Sequence, residues 1–308
     1  TRSADLRQAR HTSIIENIVV WTDRADANPA FDLRNLLSDL GLLGIKIGIE
    51  YQTHGLTAAN GKRVDEQLNT FAAISDFSGI VDSLRAIKSA AELDKVRKAA
   101  ELGDAALERA MPLIKAGADE GDILAAMHAA IFEGGGDYPA NEFIIGSGPD
   151  ALLCRYKAGR RKLDPQDQLT LEWAGVFHHY HAALMRTAVI GSPSPRHLEL
   201  QAASHEALLA VETAMKPGTS FGDVFQAHAD VMDRHNMTRH RLNACGYSLG
   251  ARFTPSWMDM PMFYSGNPVT VQPGMVLFAH MIIMDSESNT ALCLGRTSLI
   301  GEGGAQPL

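Results

Sequence analysis

Hydrophobic residues recur at helical spacing along two long stretches of the chain. The first stretch starts at Ser89, and Glu92 three residues later completes the side-chain pattern of a helix amino terminus. Apolar residues then recur every three or four positions as far as Ile114, and a similar stretch covers residues 195–215. This pattern predicts one long helix at 90–114 and another at 195–215.

The first 87 residues contain shorter elements. Residues 44–50 alternate as a strand does, and residues 31–40 have the pattern of a short helix. Two such elements are too few for a self-sufficient α/β domain, and the chain starts at Thr1 rather than at Met. We therefore expect residues 1–87 to be the C-terminal part of a smaller α/β domain whose start is missing. Residues 88–308 should form a second domain.

An internal repeat relates the two long helices to each other. The run Lys115-Ala-Gly-Ala-Asp-Glu-Gly-Asp-Ile123 matches Lys216-Pro-Gly-Thr-Ser-Phe-Gly-Asp-Val224 in its lysine, both glycines, its last aspartate and its β-branched residue. Each run follows a long helical stretch and precedes a shorter one. Self-similarity of this kind indicates a duplicated unit.

The repeat extends into two later strands. One apolar strand follows Pro165 and another follows Pro273, and the offset from Pro165 to Glu172 equals the offset from Pro273 to His280. We therefore predict an α+β domain of two pseudo-symmetric ααβ-type halves, whose strands form one curved sheet. In that sheet Glu172 and His280 occupy related positions.

Glu172 and His280 are the main candidates for chemistry. Each lies in an apolar strand, where a charge is costly unless it is paired. A buried carboxylate with one or two imidazoles is a natural acid/base or nucleophilic set. A structural carboxylate at Glu172 and a hydrogen-bonded core histidine at His280 are the alternatives.

Three histidines occur close together between the strand of Glu172 and the next one. Strand alternation from residue 176 places His179 and His181 on one face and His178 on the other. The same residues also fit a solvated hairpin turn. Their spacing fits no standard pattern of metal ligands.

Composition excludes several classes of function. The chain has 36 acidic and 28 basic residues, a net charge of −8, which argues against a nucleic-acid partner or an anionic membrane surface. No apolar run approaches the ~18 residues of a membrane-spanning helix. The cysteines Cys154, Cys245 and Cys293 are odd in number and far apart, which indicates reduced thiols in a cytoplasmic protein.

The order of these motifs resembles the creatinase / aminopeptidase P / methionine aminopeptidase family, whose fold is called the pita-bread fold. The resemblance covers residues 88–301. It rests on the two Lys-x-Gly-x-x-x-Gly-Asp runs, on Ile145-Gly-Ser-Gly148, on Pro273-Gly-Met275 and on the strand from Tyr180 to Thr187. It implies a pita-bread catalytic domain after a creatinase-like N-terminal domain, and a homodimer.

The chain departs from this family at the metal ligands. The metallopeptidases of the family bind two metal ions through five residues, in the order Asp, Asp, His, Glu and Glu. The matching positions here are Glu172, Ala183, Tyr247, His280 and Gly295 or its neighbour Arg296. Alanine and glycine have no ligating side chain, and tyrosine is a poor substitute for histidine. The resemblance therefore implies no metal site and no cofactor.

Within the family, the chain is most similar to metal-free members, ectoine hydrolase and creatinase. The similarity to ectoine hydrolase lies at residues 135–139, 171–175 and 246–250, and at Pro255 and Trp257. It implies a small-molecule substrate, an ectoine-like cyclic amidine or a creatine-like guanidino acid, in which a C–N bond is hydrolysed.

The same resemblance implies an active site. Glu172 would be the nucleophile or general base, and His181 or His280 would move protons. The residues expected to contact the substrate are Arg155, Tyr156, Tyr247 and Trp257. Two alternatives stay open: a peptidase-like hydrolase with a mononuclear metal site on Glu172, His181 and His280, and a pita-bread module that binds without catalysis.

Overall fold

The computed structural model describes residues 1–156 and 159–308, which divide into two compact units. The first unit comprises residues 1–80 and the second residues 81–308. Each unit has its own sheet. The division into domains at 87/88 stays a prediction.

The first unit is a small α/β arrangement. It contains the helices α1 (Leu6–Thr12), α2 (Pro29–Asp39) and α3 (Ala58–Leu68), and the parallel strands β1 (Lys46–Ile49) and β2 (Ala73–Asp76). Helix α2 starts at Pro29, whose fixed φ suits a first helical turn, and the side chain of Asn28 accepts a hydrogen bond from the Ala30 amide at 3.2 Å. The predicted short helix and strand are both present.

Four long helices follow the short helix α4 (Ile80–Arg85) in the described part of the second unit. They are α5 (Ala90–Ala110), α6 (Glu120–Glu133), α7 (Pro195–Ala214) and α8 (Phe221–Arg234). Helix α5 begins with the predicted capping box, because the amide and the hydroxyl of Ser89 both donate to Oε2 of Glu92 at 2.8 Å. Both predicted long helices are confirmed. Helix α5 ends earlier than expected, before a 3-10 turn at Met111–Leu113.

An antiparallel sheet forms the centre of the second unit. Its strands are β3 (Ile144–Ser147), β4 (Asp167–Phe177), β5 (Tyr180–Ile190), β6 (Ala244–Ser248), β7 (Asp259–Tyr264), β8 (Val276–Asp285), β9 (Thr290–Gly301) and β10 (Gly304–Pro307). Their order across the sheet is β3-β4-β5-β9-β8-β6-β7, with β10 paired to β9. The described helices include none with the length and apolar character that crossing a membrane requires.

Two hairpins of this sheet repeat each other. Strands β4 and β5 form one hairpin, which packs against α5, and strands β8 and β9 form the other, which packs against α7. The hairpins join where Met185 pairs with Gly295 and Arg186 pairs with Leu294. The predicted architecture, two ααβ-type halves that share one sheet, is confirmed.

The first hairpin and α5 approach each other closely because glycines line their contact. A Cβ added at Gly175 would lie 1.8 Å from the Ala99 carbonyl oxygen and 2.4 Å from the Gly103 nitrogen. The indole nitrogen of Trp173 donates to the Gly103 carbonyl oxygen at 2.8 Å. These contacts fix strand β4, and with it the side chain of Glu172, which points to the opposite face of the sheet.

The turn between β4 and β5 corrects one expectation. His178 and His179 are the central residues of a two-residue turn, because Phe177 pairs with Tyr180. Both histidines have positive φ, 49° and 63°, as a type I′ hairpin turn requires. Strand alternation from residue 176 was therefore wrong for these two histidines, and the alternative of a hairpin turn is confirmed for them.

Candidate active site

A row of paired residues crosses the centre of the sheet. Glu172 on β4 pairs with Met185 on β5, and Gly295 on β9 pairs with His280 on β8. Met185 and Gly295 also pair with each other, which joins the row. Directly paired residues of antiparallel strands point to the same face. The sheet thus brings the predicted acid and base to one face, in one row.

The Glu172 carboxyl group is buried, with 9 % of the residue exposed. Burial raises its pKa to about 7, while the charge of Arg155 and a hydrogen bond from Tyr247 act in the opposite direction. A carboxyl group with this pKa changes its charge near neutral pH. That property suits a general base or a general acid.

Tyr247 connects the row to strand β6. Its hydroxyl donates to Oε1 of Glu172 at 3.4 Å and accepts a hydrogen bond from Nε1 of Trp257 at 3.0 Å. Its ring centroid lies 5.6 Å from that of His280. Trp257 is only 1 % exposed. In the described structure it therefore acts as a buried hydrogen-bond donor to Tyr247. Of the expected substrate contacts, these two residues therefore lie next to the row.

His280 is the second titratable group of the row and is also buried. Burial lowers its pKa to about 3, and the nearby charges of His228 and Arg155 act in the same direction. The imidazole is therefore neutral at physiological pH. Its Nδ1 is buried without a hydrogen-bond partner among the described residues. A buried, unpartnered nitrogen needs a water or a ligand as its partner.

His181 lies on the same face as Glu172 but is held by the backbone. Its Nε2 accepts a hydrogen bond from the Ala140 amide at 3.0 Å, and its Nδ1 lies 3.4 Å from the Gly250 carbonyl oxygen. These partners fit a neutral ring with its proton on Nδ1. Burial also lowers the pKa of this histidine to about 4. Both ring nitrogens are thus engaged, which favours a structural role over proton transfer.

Arg155 lies on the segment that follows β3. The residue is exposed, and its guanidinium donates to the sulfur of Met258 at 3.8 Å. It is close enough to Glu172 and His280 to lower the pKa of both groups. The structure therefore places a cation at the edge of the row.

Tyr156 is not brought to the row in the described structure. Its ring lies over Gly146, since a Cβ added there would lie 3.3 Å from Cδ1 of the tyrosine. Its pKa is raised by burial, by the charge of Asp150 and by a hydrogen bond to that carboxylate. A role for Tyr156 in substrate binding stays a prediction.

The residues that the family resemblance matches to the five metal ligands, the last being Gly295 or its neighbour Arg296, do not supply five ligating side chains. Ala183 offers no ligating atom, and a Cβ added at Gly295 would lie 2.9 Å from the ring of Phe278 and from the Ala279 carbonyl oxygen. The Phe278 ring thus occupies space that a longer side chain at 295 needs. Within residues 1–156 and 159–308, no group of three or more His, Cys, Asp or Glu side chains is placed to hold a metal ion.

Phe278 is a site residue that the sequence analysis missed. It is fully buried, pairs with Tyr247 across β8 and β6, and has its ring centroid 5.6 Å from that of His280. It lies two residues before His280 on the same strand. The two-residue period of a strand, counted back from His280, was the signal that could have identified it.

A family model matches most of the second unit. The match is to metallopeptidase family M24 and covers residues 94–306. The chain belongs to metallopeptidase family M24. The match includes both halves of the repeat and the whole row from Glu172 to His280, so the predicted family resemblance is confirmed.

Characterised M24 proteins of two kinds are similar to this chain. An ectoine hydrolase from Halomonas elongata is 25 % identical over 275 residues, which cover 84 % of this chain and 68 % of that protein. An Xaa-Pro dipeptidase from Pyrococcus furiosus is 22 % identical over 250 residues, which cover 80 % of this chain and 70 % of the dipeptidase. The chain thus spans about two thirds of the length of these M24 relatives.

Solved M24-type structures share the fold. The prolidase from Pyrococcus furiosus superposes with a TM-score of 0.83 at 20 % identity, over 100 % of this chain and 85 % of the prolidase. An X-Pro aminopeptidase from Thermotoga maritima gives 0.86 at 18 % identity, over 100 % of this chain and 82 % of the aminopeptidase. This M24 chain therefore has the pita-bread fold.

Proposed function

We propose that this M24 chain is a hydrolase that breaks a C–N bond in a small amidine or guanidino acid without a metal ion. The similarity to an ectoine hydrolase supports the substrate class. The alanine and glycine at two ligand positions support the metal-independent reaction. The observation that carries the proposal is the buried Glu172 carboxyl group, with its pKa of about 7, in one row with neutral His280.

Glu172 is the general base for the attacking water. In its carboxylate form it accepts this proton while the water oxygen bonds to the electrophilic carbon. The tetrahedral intermediate then collapses, the C–N bond breaks, and the leaving nitrogen takes up the proton from Glu172 directly or through His280. A pKa near the working pH lets one group accept the proton in the first step and return it in the second. Direct attack of the carboxylate on the carbon is the other course open to the same residue.

Tyr247 and His280 assist in different ways. The Tyr247 hydroxyl donates to the Glu172 carboxylate, which orients it and favours its charged form. His280 is neutral, so it can donate one proton and accept another within the same turnover. His181 holds the loops at Ala140 and Gly250 in this scheme and transfers no proton.

The charges around the row suit a zwitterionic substrate. Arg155 forms no ion pair with a carboxylate of the described residues, so its guanidinium is available for a carboxylate on the substrate. The amidinium group would then lie next to Glu172, where the two charges attract. Fixing both ends of the substrate aligns its electrophilic carbon with the proton acceptor.

The mononuclear metal alternative has less support. It needs Glu172, His181 and His280 as ligands, and His181 already uses both ring nitrogens for the backbone. The alternative of a binding module does not explain why a carboxyl group is kept in an environment that raises its pKa to about 7.

Turnover assays test the proposal. The purified protein is incubated with ectoine, with creatine and with an Xaa-Pro dipeptide, each in the presence and absence of a chelator. We expect ectoine or creatine to be hydrolysed, with no loss of rate in the chelator. Dipeptide hydrolysis that the chelator abolishes would identify a metallopeptidase instead. Binding without turnover, seen as a thermal shift, would identify a binding module.

A pair of variants tests the residue that carries the proposal. Glu172→Gln should lower turnover at least ~100-fold, the usual contribution of a positioned acid/base group. The matched control is Glu302→Gln, because Glu302 is exposed in a turn. The control should retain full activity. A Glu172→Gln protein with unchanged turnover would disprove the role of Glu172.

A further inference from the structure

A buried carboxylate outside the row lies close to the point where the chain leaves β3 toward Arg155. Glu120, at the start of α6, is fully buried. The Ser147 hydroxyl donates to its Oε1 at 2.6 Å, and the Arg161 amide donates to its Oε2 at 3.1 Å. The proposed reaction assigns no role to Glu120, Ser147 or Arg161. Their location beside Ser147, where the chain leaves β3 into the segment 148–156 that carries Arg155, suggests what they do.

Arg161 is the centre of this network. Its Nη1 donates to the Ser147 hydroxyl at 2.8 Å, and its guanidinium also pairs with Asp164 and with the buried Asp167. Its carbonyl oxygen accepts a hydrogen bond from the Glu120 amide at 3.0 Å. Backbone and side chain of Arg161 are therefore both tied to the ends of β3, β4 and α6.

The start of the segment 148–156 touches the same guanidinium. Gly148 has φ +55°, and a Cβ added there would lie 3.1 Å from Cζ of Arg161. A side chain at 148 would thus be strained and would press on the guanidinium. The Gly148 carbonyl oxygen accepts a hydrogen bond from the Gln168 side chain at 3.0 Å. The segment therefore leaves β3 beside the arginine that also pairs with Asp167 at the start of β4.

Arg155 and Cys154 lie in the segment 148–156, between its start at Gly148 and an anchor at Tyr156. The Tyr156 carbonyl oxygen accepts a hydrogen bond from the Ile145 amide at 3.0 Å, which ties this end of the segment to β3. The Arg155 guanidinium itself contacts the sulfur of Met258 at 3.8 Å. The position of Arg155 near Glu172 therefore depends on how firmly the segment is held at Gly148 and Tyr156.

We propose that Arg161 is a positioning residue, which holds the start of the segment 148–156 on β3 so that Arg155 faces Glu172 and can bind a substrate carboxylate. This inference rests on the proposed function for the role of Arg155. A lysine at 161 keeps the charge but cannot form the forked contacts to Ser147, Asp164 and Asp167 together. Ser147→Ala removes the hydroxyl that links Arg161 to Glu120 and serves as a second, milder variant.

Thiol labelling tests, without any substrate, whether Arg161 holds the segment in place. Cys154 is half-buried on the segment, whereas Cys245 and Cys293 are buried in the sheet. In Arg161→Lys, Ellman's reagent should modify Cys154 about tenfold faster, the effect of losing one charge-assisted hydrogen bond. Ser147→Ala should show a smaller increase. A Cys154→Ser protein, which lacks this thiol, shows which part of the labelling comes from Cys154. An unchanged labelling rate in both variants, in folded protein, would overturn the proposal.

Steady-state kinetics then test the effect on Arg155. The substrate found by the turnover assays is compared with its primary carboxamide, which lacks the negative charge. Arg161→Lys should raise KM about tenfold for the carboxylate and leave kcat and the KM of the carboxamide nearly unchanged. In an Arg155→Ala background the Arg161 substitution should add nothing further.

Thiol labelling and steady-state kinetics together distinguish a failure of the Arg161 inference from a failure of the proposed function. Equal losses for carboxylate and carboxamide, or additive losses in the double variant, would show that Arg161 only stabilises the fold and would overturn the inference. Absence of any bound or hydrolysed carboxylate would refute the proposed function, while the labelling rate would still decide whether Arg161 fastens the segment.

Discussion

Glu172 and His280 are the two outer members of one row of paired residues across β4, β5, β9 and β8. Burial moves their pKa values in opposite directions, to about 7 for the carboxyl group and to about 3 for the imidazole. Near neutral pH His280 is therefore the neutral imidazole, and Glu172 is the group of the row that gains or loses a proton. Titratable groups whose environments separate their pKa values in this way are typical of acid/base sites.

Replacement of Glu172 by Gln should change stability in a pH-dependent way. The folded protein keeps the Glu172 proton up to about pH 7, whereas an unperturbed carboxyl group releases it near 4.5. Folding stability therefore falls as the pH rises between these values. Glutamine does not titrate, so the variant should gain up to about 3 kcal/mol relative to the unaltered protein between pH 4.5 and pH 8.

Urea unfolding at the two pH values measures this gain. Glu302→Gln serves again as the control, since its exposed carboxyl group has no burial cost to remove. A stability difference between Glu172→Gln and the unaltered protein that stays constant from pH 4.5 to pH 8 would show that the folded protein does not raise the pKa of Glu172.

Much of this arrangement could be predicted because duplication leaves local signals. The capping box at Ser89 and the matching offsets to Glu172 and His280 depend only on residues close together in sequence. The strand pairing that joins the halves then follows from their similarity. For the same reason the two long helices were found near their observed positions.

What could not be predicted depends on residues far apart in the chain. The sequence does not distinguish His181 from His280 as a proton carrier, because the partners of His181, the amide of Ala140 and the carbonyl of Gly250, are backbone groups on remote loops. The position of Tyr156 over Gly146 and the network of Glu120 are likewise set by tertiary contacts. Backbone partners leave no pattern of side-chain types in the sequence.

Removal of the Tyr247 hydroxyl should move the pH dependence of catalysis. This hydroxyl donates to the Glu172 carboxylate and holds its pKa down. In Tyr247→Phe the pKa of Glu172 should rise, so the acid limb of kcat/KM shifts to higher pH. The rate at pH 7 should fall roughly three- to tenfold, as expected for a hydrogen bond of about 1 kcal/mol.

Trp257→Phe provides the comparison for this shift. The indole donates to the Tyr247 hydroxyl and so makes it a better donor. Its loss should shift the acid limb in the same direction by less, and should have no effect on that limb in a Tyr247→Phe background. An unshifted pH profile in Tyr247→Phe would show that the hydroxyl does not act on the catalytic carboxyl group.

His228 should make the protein sensitive to acid. It is 1 % exposed on α8, and burial lowers its pKa to about 4 from 6.5. The unfolded chain binds the proton first as the pH falls, so stability is lost between pH 6.5 and pH 4. His228→Leu removes this term and should gain up to about 3 kcal/mol at pH 4 relative to pH 7.

Unfolding by urea across this pH range checks the prediction. His205→Gln, at an exposed position of α7, is the control. This surface substitution should change stability little. If His228→Leu loses stability toward acid as steeply as the unaltered protein does, the acid sensitivity comes from other groups.

Gly295 should resist even the smallest enlargement, which matters because the family resemblance matches Gly295 or its neighbour Arg296 to a metal ligand of the metallopeptidases. A Cβ there would lie 2.9 Å from the Phe278 ring and from the Ala279 carbonyl oxygen. We expect Gly295→Ala to cost about 1–3 kcal/mol, the usual effect of overpacking a core. Thermal unfolding should show the loss, and Phe278→Leu in the same chain should restore part of it. Gly303→Ala, where no atom lies within 4 Å of the added Cβ, should be nearly neutral. Equal stability of the Gly295→Ala and Gly303→Ala proteins would mean that Phe278 does not close this position to a ligating side chain.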